Sequence, residues 1–208
     1  MYYGEKFNSI THLVGAVLAV MALGSLLTIG IQQKNPFVFI SFTVFGLTLV
    51  LLYTMSTLYH SFHPQKLKHI FQKLDHISIY LLIAGTYTPY MLVSLGDGNG
   101  PLMLSLVWAL AVLGILLDTF VRNRLEIMQL TIYLTMGWLS VMEYSNLATV
   151  IPLPGIVWLT LGGIAYTIGV IFYVLDNMKK LRHAHGIWHL FVLTGSISHF
   201  ISIAIYVR

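Results

Sequence analysis

Apolar runs of twenty or more residues recur along the whole chain, separated by breaks of only a few polar residues. A helix rises about 1.5 Å per residue, so about 20 apolar residues are needed to cross a hydrocarbon core near 30 Å thick. Seven stretches meet that length, at approximately 9–31, 36–61, 74–95, 101–121, 127–146, 152–176 and 186–206. The breaks carry turn and helix-stop residues: Gln32-Gln33-Lys34-Asn35-Pro36, His63-Pro64-Gln65-Lys66 and Gly96-Asp97-Gly98-Asn99-Gly100-Pro101 early on, then Pro152-Leu153-Pro154 and Lys179-Lys180-Leu181-Arg182. Arg122-Asn123-Arg124 is the least marked division, because it separates the fourth and fifth stretches by only a few residues. The expected fold is all-α: an integral membrane bundle of seven transmembrane helices, with residues 1–208 forming a single membrane domain.

Composition supports this. Hydrophobic residues make up 57% of the 208 and charged residues 9%, against roughly 25% charged in a soluble domain. A water-soluble fold would lack the polar surface to stay dispersed. The first stretch is longer than a signal-peptide core and lacks a convincing cleavage site, so it reads as a retained span. The net charge of +4 does not point to nucleic acid, because the basic residues sit singly or in small groups between apolar runs. Cysteine is absent, which removes disulfides, thiolate metal sites and a cysteine nucleophile. A metal here must be held by histidine and carboxylate.

Lysine and arginine set the orientation. With the N-terminus in the cytoplasm, the inner segments hold Lys6, Lys66, Lys68, Lys73, Arg122, Arg124, Lys179, Lys180 and Arg182, and the outer ones only Lys34 and Arg208. The C-terminus is then extracellular. Tyr2, Tyr3, Trp158 and Tyr206, near span ends, read as interfacial anchors.

Ionisable groups inside spans are costly and therefore functional candidates. Those present are His12, His60, Asp75, His76, Asp118, Glu143, Asp176, His185, His189 and His199. In the expected topology Ser56 and His60 lie at the cytoplasmic end of the second span, Asp75 at the start of the third, and His185 and His189 at the start of the seventh. These three spans meet at one depth. His185 and His189, four apart, share a helical face with the spacing that offers two imidazoles to one metal. His60 can supply a third nitrogen, and three protein ligands plus an open position is the arrangement of catalytic zinc. Ser56 is one turn from His60, and Asp75 has the reach to bind a metal-bound water.

Plainer readings apply to the others. His63, His69 and His183 read as interfacial, and His60 taken alone would too. His76 points elsewhere on its helix, and His199 lies about 15 Å beyond His189 by helical rise. Glu143 is expected to make an interhelical hydrogen bond. Asp118 and Asp176 would be satisfied by snorkelling or by nearby Lys and Arg.

Three patterns resemble the progestin and adipoQ receptor superfamily, including its bacterial hemolysin III branch. They are Glu5-x-x-Asn8-x-x-x-His12, Ser56-x-x-x-His60 followed by Lys73-Leu74-Asp75, and His185-x-x-x-His189. The short N-terminus and compact loops are similar to the bacterial branch. The resemblance implies zinc held by His60, His185 and His189, with Asp75 and Ser56 around a reactive water. It assigns no settled chemistry to Glu5, Asn8 and His12, which share one helical face and could equally pack polar groups towards the cytoplasmic mouth. Related ceramidases share the Ser, Asp and three-His set, which implies a zinc-dependent hydrolase cleaving a lipid amide and releasing fatty acid, tied to membrane lipid homeostasis. Its partners would be membrane lipids or fatty acid, in a bacterial plasma membrane. The rival reading is a non-enzymatic hemolysin III-like protein or membrane-stress sensor with a closed, structural zinc site. A transporter fits less well, since the spans carry no midplane chain of charges.

Overall fold

The computed structural model describes residues 4–121 and 126–208, and among these every regular element is helical. Helix α1 runs Lys6–Gln32, α2 Pro36–Ser61 and α3 Gln65–Pro89, continued by a π-helical turn, Tyr90–Ser94. Helix α4 runs Gly100–Phe120 and α5 Glu126–Trp138. A 3₁₀ turn, Leu139–Glu143, links α5 to α6, Tyr144–Val150, before α7 (Leu153–Asn177) and α8 (Ala184–Tyr206) complete the chain. Among the described residues, six helices are long and apolar enough to cross a membrane: α1, α2, α3 with its π turn, α4, α7 and α8. Tyr2, Tyr3, Arg122, Asn123 and Arg124 lie outside the described residues.

The punctuation acts as its chemistry dictates. Pro36, Pro101 and Pro154 sit in the first turns of α2, α4 and α7, where a missing N–H costs nothing. Asn35 caps α2 by accepting from the Phe37 N–H at 2.9 Å. Pro89 cannot donate within α3 and its ring crowds the preceding turn, and the chain widens into the π turn directly after it. Helix α3 starts at Gln65, earlier than the apolar stretch from 74. Its first turns, bearing Lys66, Lys68 and Lys73, are helical although too polar to be counted by apolarity.

The helices follow one another round a ring. Helix α1 packs on α2, α2 on α3, α3 on α4, and α7 on α8, which returns to α1; the seam between α5 and α7 is sparse. Where α8 meets α1, residue 186 must be small: a Cβ on Gly186 would collide with the Phe7 ring and reach 3.0 Å from Asn8 Oδ1. That glycine lies between His185 and His189, so it brings the start of α1 against the histidine-bearing turn.

The fifth apolar stretch is one helix in the sequence and two in the structure. Its break at Leu139–Glu143 is served from α3 by Tyr87, whose hydroxyl donates to the Met136 carbonyl at 2.7 Å and accepts from the Ser140 N–H at 2.7 Å. Backbone groups freed at membrane depth need such a partner. Glu143 is buried and accepts from Asn146 at 2.6 Å, within its own segment rather than from another helix. Tyr80 donates to Asp118 at 3.2 Å and Gln129 at 2.9 Å, which ties α3, α4 and α5 together.

A candidate metal centre facing a deep cavity

Helix α2 ends where Phe62 turns extended ahead of Pro64, and His60 occupies its last turn, fully buried. Helix α8 begins just after His183, whose left-handed backbone (φ 62°) turns the chain so that His185 and His189 fall on the first turns. The three rings converge, with centroids 5.0 Å apart for His60 and His185, 4.9 Å for His60 and His189, and 4.8 Å for His185 and His189. One ligand nitrogen from each lies within 4.8 Å of the others.

The hydrogen bonds behind the rings decide which nitrogens face inward. His60 Nδ1 lies 2.7 Å from Glu5 Oε2, His185 Nδ1 3.1 Å from Asp176 Oδ2, and His189 Nδ1 3.1 Å from the Asn8 carbonyl. Thr11 Oγ1, whose own proton goes to the Phe7 and Asn8 carbonyls, is a second acceptor 3.2 Å from His189 Nδ1. Carbonyl and carboxylate oxygens accept, so each Nδ1 carries the proton and each Nε2 a lone pair. All three Nε2 atoms are buried and without a hydrogen-bond partner. Leaving a buried acceptor unpaired costs about 1–3 kcal/mol, and three at one point form a donor set that a cation satisfies. The residues fit a metal ion held by three imidazoles, each oriented from behind by an oxygen.

Glu5 also accepts from Lys68 Nζ at 3.1 Å and Asn8 Nδ2 at 2.9 Å. The hydrogen bond to His60, supported by these two donors, outweighs burial and holds the Glu5 carboxyl well below the usual carboxylate range. It therefore stays an anion beside His60.

A sequence profile of the haemolysin-III related family matches residues 2–200. The chain belongs to the haemolysin-III related family. It is similar to the Hemolysin-3 homolog of Bacillus subtilis (strain 168), with 40% identity over 97% of this chain and 93% of that one. It is also similar to Hemolysin-3 of Bacillus cereus, with 40% identity over 98% of this chain and 91% of that one. Within the wider superfamily it is 24% identical to the Drosophila melanogaster Adiponectin receptor protein, over 94% of this chain and 49% of the receptor. No solved structure matches the chain. Its family and its apolar helices make it a multi-pass membrane protein.

In this haemolysin-III family member, the other anticipated residues fall around the histidines in distinct ways. Asp75, buried in α3, is outside the set of converging ligand atoms, and Ser56, one turn before His60, is buried as well. His12 stacks on His189 with centroids 3.5 Å apart and planes at 13°, edge-on to Tyr53, and neither of its nitrogens has a partner. His199 bonds the Leu159 carbonyl through Nε2 at 3.1 Å, away from the cluster. His60, Asp75 and His185 open onto a cavity of ≈ 660 Å³ that extends past Leu82, Leu134 and Val170 to Tyr90, Leu147 and His199. That volume lies in the range of small-molecule sites, about 300–1,000 Å³. Sequence reasoning missed Asp176 and Thr11 as partners of the histidines and counted Lys68 only as a topology charge. The available signal was chemical: an inward-facing Nε2 needs an acceptor behind Nδ1.

Proposed function

We propose that the protein is a zinc-dependent membrane lipid hydrolase that cleaves a long-chain amide and releases fatty acid. The observation that carries this reading is the set of three back-bonded imidazoles with free Nε2 atoms, two of which, His60 and His185, line a cavity of ≈ 660 Å³ that Asp75 also lines. Three imidazoles favour zinc among available cations. His60, His185 and His189 would hold it. When bound, zinc supplies a Lewis acid that polarises a carbonyl and eases the deprotonation of water near neutral pH.

The chain's own residues do the rest. Asp75 accepts a proton from the attacking water at a carboxylate oxygen, and Ser56, buried one turn before His60, positions the carbonyl. Water adds to the amide carbon, the C–N bond breaks, and Asp75 returns the proton to the leaving nitrogen. The acyl chain lies in the cavity among the apolar side chains of Leu82, Leu134 and Val170, and by filling it displaces water from beside the reacting bond.

In this reading the fold has seven spans. The fifth is the broken pair α5 and α6, with the N-terminus cytoplasmic and the polar product leaving towards the cytoplasm. The distribution of Lys and Arg supports that orientation. In the cysteine-free chain, single cysteines at Lys68 or Lys180 should be shielded from impermeant reagents in intact cells and one at Asn99 should label. For the chemistry, zinc-loaded protein should release fatty acid from ceramides or long-chain acyl amides in micelles. Zinc-loaded protein that releases nothing across such a panel would leave the ion a structural role and remove the hydrolase reading.

A further inference from the structure

The Glu5, Asn8 and His12 pattern has no part in the proposed chemistry, yet all three residues lie directly behind the histidines. Glu5 bonds His60, the Asn8 carbonyl bonds His189, and His12 stacks on His189. None of the three belongs to the converging ligand set. We infer that the first two turns of α1 form the back wall of the cation site, that Glu5 is the positioning residue setting how tightly the cation is held, and that cation binding in return locks the amino-terminal segment onto α2 and α8. This rests on the reading that the three histidines bind zinc and does not depend on hydrolysis.

The geometry gives Glu5 a special place among the back-bonding groups. Its 2.7 Å contact is the shortest of those to the three ligands, and its carboxylate is itself fixed by Lys68 from α3 and by Asn8. An anion held on Nδ1–H raises the electron density at Nε2 and prevents the ring from turning its lone pair away. His185 is held instead by Asp176 on α7. Displacing α1 would therefore free two ligands and leave one oriented.

One face of the segment is buried, with Ser9 meeting Ser61 at 2.6 Å, Thr11 and His12 enclosed and Phe7 packed against Gly186, while Ile10 and Leu13 turn their apolar surface outward. The histidine contacts are thus among those that hold the first turns. Coupling is reciprocal: whatever factor the docked segment contributes to cation affinity, the cation contributes to docking.

Zinc affinity measured by competition with a chromophoric chelator, on full-length protein in nanodiscs, tests the first half. Glu5→Gln should weaken binding roughly 10–100-fold, the range for partners behind metal-bound histidines, while the melting temperature of the metal-free protein stays near wild type. Lys68→Gln, which removes a support of Glu5 and leaves the Glu5–His60 contact in place, should weaken it less. Hydrogen exchange of the amides of residues 6–12 in wild type, with and without zinc, tests the second half and needs no variant. Zinc should slow their exchange, and Glu5→Gln should diminish that protection. Wild-type affinity in Glu5→Gln, or exchange indifferent to zinc in wild-type protein that binds it, overturns the inference. Wild-type protein that binds no zinc overturns the metal reading itself, so the two failures are distinguishable.

Discussion

Where the end of α2 meets the start of α8, three histidines are each held from behind by an oxygen from elsewhere in the fold. The cavity wall formed by α5, the 3₁₀ turn and α6 meets α7 along a sparse seam whose polar tie is Trp138 Nε1 to Thr167 Oγ1 at 3.2 Å. The histidine corner is over-determined: Glu5 alone engages three partners. The wall is interrupted, with a backbone break that the hydroxyl of Tyr87 serves from α3. A metal site keeps its affinity only if its lone pairs stay aimed, whereas a wall that admits flexible acyl chains has no such requirement. Changes at the corner should therefore act on metal and chemistry, and changes in the wall on substrate length and local order.

The largest effect expected is at Asp75. Asp75→Asn should retain zinc, because the carboxylate lies outside the ligand set, and should lose about 10²–10⁴-fold in fatty acid release, the usual cost of a missing general base. Metal analysis and a time-resolved release assay on the same preparation check both halves; loss of zinc would place Asp75 in the ligand set instead. Next in size is Asp176→Asn, which removes the anion behind His185 and should weaken zinc binding roughly 10-fold or more in chelator competition. An unchanged affinity would mean that His185 needs no orientation.

The wall should respond differently. An added Cβ at Gly163, which lines the cavity, meets no atom within 4 Å. Gly163→Ala should therefore fill space without distorting the fold, shift preference towards shorter acyl chains by roughly 10-fold, and leave zinc affinity intact. A loss of zinc there would erase the distinction between corner and wall. The smallest effect belongs to Tyr87→Phe, which strips the partner from the break and should lower stability by about 0.6–1.7 kcal/mol in a bilayer mimic, read as a lower melting temperature with zinc content unchanged.

The same contrast explains what the sequence disclosed. Apolar run length locates α1, α2, α4, α7 and α8 because a bilayer demands a fixed number of residues per crossing. It did not reveal the break after Trp138, since residues 139–143 are no more polar than a continuous helix could carry and the compensating hydroxyl is on α3. Nor did it show that α3 begins at Gln65, where the helix is too polar for an apolarity criterion. The convergence of His60, His185 and His189 was legible because helical spacing and alternating span direction place them at one level. The partners behind them were not. Asp176 reaches His185 across the loop between α7 and α8, and Glu5 reaches His60 from the residue ahead of α1, contacts that no local pattern encodes.

The central claim is that these three imidazoles hold a metal, and metal analysis of purified protein tests it most directly. Wild type should carry about one zinc per chain. His60→Ala, His185→Ala and His189→Ala should each lower that content, and His63→Ala and His69→Ala should not. Full zinc occupancy in the triple variant lacking His60, His185 and His189 would contradict the account.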